Sequence, residues 1–176
     1  MDPEKKVNGI SIVTSPYNQF ENPLYSNNKI IGTYVNSIMA LHDAIERGSD
    51  EALLLDSSKN ISEGSGENLF IVKNEKLITP TPDNCLNGIT RQSIIKIAQD
   101  EKIDVIEKKL KYEDLVDADE AFFTGTAVEV TPISKVDETK IGDSMIGPIT
   151  KKLQKIFTDT VTNKNKKYAH WLDPIN

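Results

Sequence analysis

The sequence is poor in cysteine, in aromatic residues and in long apolar runs. Its single cysteine, Cys85, excludes an intrachain disulfide. Aromatic residues make up 6% of the chain, and no stretch interleaves them with clustered lysine and arginine, as a nucleic-acid surface would. The longest strongly apolar run, residues 52–55, is far shorter than the ~20 residues of a membrane-spanning helix. Residues 1–6 are charged and lack the apolar core of a secretory signal, so we expect a soluble, cytosolic protein without a nucleic-acid or membrane partner.

Charge and histidine content limit the function further. The 176 residues carry 21 basic and 27 acidic side chains, a net charge of −6, which disfavours a polyanionic partner. The histidines and the cysteine show no metal-ligand spacing, and no Ser-His-Asp order emerges, so we expect no metal. His42 falls on the apolar side of a predicted helix, where we expect a core residue. The length fits one domain.

Hydrophobic periodicity predicts a mixed α/β fold. Strand-like segments are residues 9–14, 51–56, 68–73, 76–79, 103–110, 121–124 and 127–133. Helical spacing occurs between Gly32 and Gly48, after a cap at Thr90, over 112–117 and from 148 to about 162. Several connections are too short for a parallel crossover. We therefore predict a mixed, largely antiparallel sheet with helices packed outside, rather than a doubly wound sheet.

Three short segments have the composition of binding sites. Glu63 and Glu67 bracket a glycine turn, which is not a dinucleotide fingerprint because a third glycine is missing and a strand follows. Residues 87–90 open a helix, whose free N–H groups and Thr90 hydroxyl could bind an anion, with Arg91 nearby. Residues 124–127 form a small polar turn between apolar strands.

Each segment also has a simpler interpretation, which spacing alone favours. The glycine turn could be a solvated loop, the helix start could be an ordinary capped helix, and residues 124–127 could mark a β-bulge. Lys29, taken alone, is more typical of a solvated surface group.

Four segments taken together resemble the fold-type IV pyridoxal-phosphate enzymes, and most closely the branched-chain amino acid aminotransferases. They are residues 29–36, 61–70, 86–91 and 124–132, in the order and spacing of that family. Residues 171–173, Trp-Leu-Asp, resemble the family's carboxyl terminus. The resemblance implies a barrel-like core, pyridoxal 5′-phosphate as cofactor, and transfer of the amino group of Leu, Ile or Val to 2-oxoglutarate. It also implies small-molecule amino acid and 2-oxo acid substrates and a homo-oligomer.

The resemblance assigns roles residue by residue. Lys29 would bind the cofactor aldehyde covalently and then move a proton during amino transfer. Glu63 would face the pyridine nitrogen and keep it protonated. Further cofactor contacts would come from Tyr34, Leu86, Ile89, Thr90 and Thr126, the substrate carboxylate would meet N–H groups of Thr126 and Ala127, and Glu67 and Arg91 would support the site from behind.

The chain departs from the family in three places. Family members carry a smaller amino-terminal domain, and the residues before Gly9 are too few to replace it. We therefore expect residues 1–176 to be the cofactor-binding domain as a carboxy-terminal fragment, which binds cofactor weakly and turns over poorly alone. Asn87 stands where proline is common, and Thr33 where asparagine or a similar polar residue is common.

Two other functions compete with this interpretation. D-amino acid aminotransferase and aminodeoxychorismate lyase share the lysine, the glutamate and the phosphate turn, whereas residues 125–127 with Thr131-Pro132 and the closing tryptophan favour the branched-chain group. From a different class, the chain could be an inactive domain retained as an assembly module.

Overall fold

The computed structural model describes residues 4–21, 28–143 and 145–173. Within these ranges nine strands form one sheet: β1 (Ile10–Thr14), β2 (Glu51–Leu55), β3 (Ile61–Gly64), β4 (Asn68–Lys73), β5 (Lys76–Thr79), β6 (Val105–Glu107), β7 (Glu120–Gly125), β8 (Glu129–Val136) and β9 (Thr139–Lys140). The helices are α1 (Lys5–Asn8), α2 (Tyr34–Glu46), α3 (Ile89–Asp100), α4 (Tyr112–Val116) and α5 (Pro148–Val161), with 3-10 turns at Ile31–Thr33 and Lys166–Trp171. No helix in the described part of the chain is long and apolar enough to cross a membrane.

The sheet is mixed and mainly antiparallel, which confirms the predicted fold class. Its strand order is β3-β2-β1-β8-β7-β4-β5-β6, with β9 added to β8. The pairs β1–β2, β1–β8 and β5–β6 are parallel, and the other five pairs are antiparallel. Two of the parallel pairs are joined through helices, β1 to β2 by α2 and β5 to β6 by α3, because a parallel connection must cross over the sheet.

The two ends of the sheet curl towards each other. An isolated bridge pairs Ile61 in β3 with Leu110 beyond β6, and the Ile61 N–H donates to the Leu110 carbonyl at 2.7 Å. Seven of these strands, β1 to β5, β7 and β8, supply buried apolar side chains to one interior cluster, including Ile12, Leu53 and Phe123. The result is a half-barrel, as the predicted barrel-like core required.

Alternating side chains of β4 show that both faces of the sheet are covered. Leu69 and Ile71 enter the interior cluster, whereas Phe70 and Val72 face α3, α5 and the last 3-10 turn. On that outer face Phe70 stacks on Phe122 of β7 with ring centroids 5.2 Å apart. Burial on two sides explains why β4 is an almost continuous apolar run.

Helix α2 lies where it was predicted, but with the opposite face towards the core. Only its small residues Ala40 and Ala44 are fully buried, and the larger apolar residues Val35, Ile38, Met39 and Ile45 are exposed. The prediction that His42 is a core residue is wrong: its side chain is 73% exposed and lies 3.5 Å from Glu46. Small residues pack here because α2 crosses close to β1 and β2.

Several shorter elements differ from the prediction. The glycine-rich segment contains the strand β3, whose four residues are too few to show periodicity. Helix α3 is capped by Gly88 in an extended conformation, so Thr90 is its second residue rather than its cap. The predicted strand 103–110 is reduced to Val105–Glu107, because its partner β5 offers only the ladder 77–79. The predicted strands 68–73 and 76–79 are present as β4 and β5, and they form a hairpin through Asn74 and Glu75, both of which have positive φ.

Two glycines with positive φ, Gly48 and Gly142, should differ in how much their replacement by alanine lowers the free energy of unfolding. Gly142 has φ +48, and an added Cβ would lie 2.1 Å from the Asp119 carbonyl oxygen, whereas Gly48 has φ +78 and open space around that position. We expect Gly48→Ala to lower the free energy of unfolding by about 1–2 kcal/mol through backbone strain alone. Gly142→Ala should lose about 3 kcal/mol or more because a steric clash adds to the strain. Urea unfolding of the two variants measures both losses, and equal losses would contradict the close approach of Asp119.

Candidate functional site

One cavity beside the β3–β4 turn brings together an amine, a phenol and two carboxyl groups. Lys29, Tyr34, Glu63, Glu67 and Leu86 all line it. They come from the connector before α2, the first residue of α2, β3, the β3–β4 turn and the loop before α3. The enclosed volume is about 60 Å³, and Lys29 at its rim is exposed to solvent. Residues that are distant in sequence therefore share one small polar site.

Lys29 and Tyr34 form a pair at the mouth of the cavity. The Lys29 Nζ donates to the Tyr34 hydroxyl at 2.6 Å and lies 5.3 Å from the centre of its ring. The 3-10 turn Ile31–Thr33 runs directly into α2 and brings the two side chains to the same side. This turn is closed by Thr33, whose N–H and hydroxyl both donate to the Ile30 carbonyl.

The Glu63 carboxyl is held by three donors. Its Oε2 accepts from the Leu86 N–H at 3.0 Å and from Asn68 Nδ2 at 3.3 Å, and its Oε1 accepts from Gln19 Nε2. Burial raises the pKa of Glu63 to about 7, and the Leu86 N–H and the Lys29 amine act in the opposite direction. The carboxyl is therefore fixed in position and poised between its protonated and charged forms near neutral pH.

Asn68 connects this carboxyl to the loop that leads into α3. Its Nδ2 also donates to the Leu86 carbonyl at 2.7 Å. A Cβ at position 88 would lie 2.4 Å from Asn68 Oδ1, so the close approach requires Gly88. The start of β4 and the loop before α3 are thus both hydrogen-bonded to the Glu63 carboxyl, through Asn68 and Leu86.

Glu67 closes the turn between β3 and β4. Its Oε2 accepts from the Gly66 N–H at 3.0 Å, and its backbone carbonyl accepts from the Gly64 N–H at 2.7 Å. Burial, and then the neighbouring Glu51, raise the pKa of Glu67 to about 8. The predicted strand after the turn is present, which agrees with rejecting a dinucleotide fingerprint.

The remaining predicted residues lie around a neighbouring, larger depression. Ile89, Thr90 and Thr126 line it together with Phe157 and Trp171, and its volume is about 640 Å³. The cap residue of α3 is Gly88, which has no side chain and so accepts no hydrogen bond from the N–H groups of the first helical turn. The structure therefore places the predicted phosphate contacts together, but in a different depression from Lys29 and Glu63. Ala127 is exposed in the β7–β8 turn next to them.

Arg91 is turned inwards. Its side chain is 2% exposed, and its Nη2 lies 2.5 Å from Glu107 Oε2 and donates to the Pro80 carbonyl at 2.8 Å. Its Nη1 donates to Asn87 Oδ1 at 3.1 Å. Its charge is thus paired with Glu107, and its contacts brace the loop before α3 from behind.

Sequence reasoning gave no role to two residues that hold Glu63. Asn68 belongs to the segment 61–70 that carries the resemblance, and its position directly after the Glu63 turn was the available signal. Gln19 lies in a polar connector without periodicity, so no pattern pointed to it. In the described part of the chain, no group of three or more His, Cys, Asp or Glu side chains is placed to hold a metal ion.

The buried carboxyls make stability depend on pH. Since the folded-state pKa values of Glu63 and Glu67 lie near 7 and 8, above their ordinary value of 4.5, the folded chain binds more protons than the unfolded chain across this window. The free energy of unfolding that they contribute should fall as pH rises from about 4.5 to 8. Glu63→Gln cannot ionise, so its unfolding free energy should fall less steeply between pH 5 and 7 than that of the wild type. Urea unfolding across this range measures the slopes, with the exposed Glu138→Gln as control, and equal slopes for wild type and Glu63→Gln would contradict the burial effect.

Comparison with known proteins identifies the family. The family model described as Amino-transferase class IV matches residues 1–136. A branched-chain-amino-acid aminotransferase of Pseudomonas aeruginosa is 44% identical over 172 residues, which are 97% of this chain and 56% of the relative. The corresponding enzyme of Escherichia coli K12 is 39% identical over 170 residues, 96% of this chain and 55% of the relative. The chain thus spans about half the length of the curated relatives it matches.

Solved structures agree with the sequence comparisons. A T.th. branched-chain amino acid aminotransferase with pyridoxamine 5′-phosphate superposes with a TM-score of 0.95 at 38% identity, covering 99% of this chain and 59% of the other. The same enzyme complexed with N-(5′-phosphopyridoxyl)-L-glutamate superposes with a TM-score of 0.92 at 39% identity, covering 96% and 57%. The half-barrel is therefore that of a known fold, and the chain belongs to the class IV aminotransferases.

Proposed function

We propose that this chain is the cofactor-binding part of a pyridoxal-phosphate-dependent branched-chain aminotransferase. The observation that carries the proposal is the shared cavity of Lys29 and Glu63, in which burial raises the pKa of the carboxyl and the amine opposes that rise. The relatives' names and the phosphopyridoxyl compounds bound by the solved neighbours support the same reaction class and cofactor. When bound, the cofactor supplies an aldehyde carbon that receives the amino group and a ring that accepts electrons during transfer.

The donor set of the cavity fits this cofactor. An amine is needed for the aldehyde, an acid for the ring nitrogen and a hydrogen-bonding group for the ring hydroxyl, and Lys29, Glu63 and Tyr34 are of these types. With about 60 Å³ enclosed, the cavity accommodates part of a ring, so the rest of the cofactor would extend beyond it. The groups proposed to bind the cofactor phosphate, at Ile89, Thr90 and Thr126, line the larger depression of about 640 Å³.

Each residue of the cavity would have a distinct task. Lys29 Nζ would hold the cofactor covalently and carry a proton to and from the substrate's α-carbon, a task that requires the amine to be neutral at times. Tyr34, 2.6 Å from that amine, would orient it and bind the ring hydroxyl. Glu63 would hold a proton at the ring nitrogen, and Gln19, Asn68 and Leu86 would keep its carboxyl in place.

The phosphate and carboxylate contacts would come from backbone and hydroxyl groups. The first turn of α3 offers N–H groups at Ile89 and Thr90 at the positive end of the helix dipole. Thr126 would add a hydroxyl, and the N–H groups of Thr126 and Ala127 would meet the substrate carboxylate. Glu67 and Arg91 would support these groups without touching the cofactor.

The proposal extends to the whole protein. Because the relatives are about twice as long, we propose that residues 1–176 act as the cofactor-binding domain beside a smaller domain, as in the family. A homo-oligomer and a cytoplasmic location without nucleic-acid or membrane partners are parts of the same proposal. The exposed apolar residues Val35, Ile38, Met39 and Ile45 on α2 support a further protein surface that covers this helix.

The first test is covalent cofactor binding. Mixing the chain with pyridoxal phosphate and reducing the product with borohydride should label the peptide that contains Lys29, because Lys29 is the one lysine among the described residues that lines the cavity with Tyr34 and Glu63. Peptide mass spectrometry locates the label. Lys29→Ala should lose it and the visible absorbance band, whereas the exposed control Lys140→Ala should keep both. Label spread evenly over surface lysines would overturn the assignment and favour the inactive assembly module.

The second test separates the branched-chain group from its relatives. The full-length protein should transfer the amino group of L-leucine to 2-oxoglutarate, and Glu63→Gln should lower kcat by about 100-fold or more, with a smaller effect on cofactor binding. Coupled measurement of glutamate formation gives the rates. Rapid transfer from D-alanine without transfer from L-leucine would instead identify a D-amino acid aminotransferase, and release of pyruvate from aminodeoxychorismate would identify the lyase.

A further inference from the structure

A second buried carboxyl lies directly behind the cavity. Glu51 is the first residue of β2 and is 8% exposed. Its Oε1 accepts from the Ala52 N–H at 2.6 Å and from the Ser65 N–H at 3.3 Å. Glu51 therefore connects the start of β2 to the turn between β3 and β4.

The same turn is held from its other side by Glu67. The Glu67 carboxyl accepts from the Gly66 N–H at 3.0 Å and lines one cavity together with the Glu51 carboxyl, which is close enough to share a proton with it. A hydrogen bond between two carboxyl groups needs one proton, and the pKa of Glu67, raised to about 8 by burial and then by Glu51, provides it at neutral pH. Two adjacent N–H groups of the turn thus donate to this pair of carboxyl groups, Ser65 to Glu51 and Gly66 to Glu67.

The pair also separates two cavities. Glu67 lines the cavity of Lys29 and Glu63 on one side and, with Glu51, a cavity of about 200 Å³ on the other. Gly64 lies close to Glu67 and Phe123, since a Cβ at this position would lie 2.9 Å from Glu67 Oε2 and 3.0 Å from the Phe123 ring. Glu67 is therefore part of the wall of the candidate site, and Glu51 lies behind that wall.

We propose that Glu51 is a positioning residue, which holds the turn of residues 64–67 through the Ser65 N–H and the Glu67 carboxyl and so shapes the wall of the cavity that contains Lys29 and Glu63. The link to catalysis rests on the proposed function, whereas the effect on the turn does not. Glu51 does not itself line the cavity of Lys29 and Glu63, whereas Ser65 and Glu67 do, so Glu51 acts through these two residues.

Loss of the shared proton should loosen the turn. Two adjacent carboxylates would then repel each other in a poorly solvated place. Among the described residues, the other charged groups at these two cavities are Glu63 and Lys29 at the first, and Lys5 with Asp50, which form a 2.6 Å ion pair, at the second. Glu63 adds to the repulsion when it is ionised, and the Lys5 charge is partly balanced by Asp50.

Hydrogen exchange of individual amides tests the positioning role without any cofactor. At pH 6.5 we expect the Ser65 and Gly66 amides of the wild type to be protected, and Glu51→Ala to raise their exchange rates by about tenfold or more. The amides of Leu69 and Ile71 in β4 should keep their rates, which shows that the variant is folded. Unprotected Ser65 and Gly66 amides in the wild type, or unchanged protection in a folded Glu51→Ala, would refute the proposal.

A conservative variant separates the shared proton from simple packing. Glu51→Gln keeps an acceptor for Ser65 and gains a donor for Glu67, so protection should persist at pH 6.5. Between pH 6.5 and 9 the protection factors of Ser65 and Gly66 should fall in the wild type and stay nearly constant in Glu51→Gln. Glu120→Gln is the matched control, because Glu120 is also 8% exposed and accepts from two backbone N–H groups, those of Ile149 and Thr150. If the protection factors of Ser65 and Gly66 depend on pH in the same way in wild type and Glu51→Gln, the two carboxyl groups do not share a proton.

Cofactor binding distinguishes this proposal from the proposed function. Titration with pyridoxal phosphate should show several-fold weaker binding by Glu51→Ala than by Glu51→Gln and wild type. If the wild type binds no cofactor while the exchange results hold, the function fails and the positioning role stands. If all three proteins bind equally and exchange equally, the positioning role fails and the function stands.

Discussion

The constraint on which the site depends is the burial of the Glu63 carboxyl. A carboxyl removed from water requires donors, and here the donors come from three separate parts of the chain: Gln19 before α2, Asn68 at the start of β4 and Leu86 before α3. Satisfying one acid therefore fixes three loops relative to each other. The same burial raises its pKa to about 7, so the group that organises the loops is also the group that can exchange a proton near neutral pH. Structure and chemistry at this site are two consequences of one desolvated acid.

The curled sheet is what makes such burial possible. β3 is an end strand, and an end strand of a flat sheet would expose Glu63 to solvent. The bridge between Ile61 and Leu110 brings this end of the sheet towards the other one, and the Leu86 N–H of the loop before α3 reaches the Glu63 carboxyl at 3.0 Å. The Asn68 side-chain amide then connects the two segments, because its Nδ2 donates both to the Glu63 carboxyl and to the Leu86 carbonyl. The barrel-like curvature thus has a direct role, because it brings the acid and its donors to one place.

The sequence predicted the strands and helices that have periodicity, and the fold class followed from them. β4, β5, α3 and α5 were found because each has several apolar positions at a regular spacing. β3, with four residues, and the true cap at Gly88 were missed, since neither has a repeating signal. The composition of the cavity came from the resemblance, whereas the contacts of Gln19 with Glu63 and of Glu51 with the turn depend on loops whose paths no local pattern encodes. Periodicity reports burial on one element, but a site is made by the contacts between elements.

The incorrect assignment of His42 follows from the same limit. The spacing in α2 does identify an apolar face, and Val35, Ile38, Met39 and Ile45 lie along it. What spacing cannot provide is the surface that covers the face: α2 packs on β1 and β2 through Ala40 and Ala44, because small residues permit the closest approach. The larger side chains are left on the outside, next to an apolar cavity of about 430 Å³ that includes Val35 and Met39. The helix that begins five residues after Lys29 is therefore apolar on two sides, which is the pattern expected when a helix lies between its own sheet and a second protein surface.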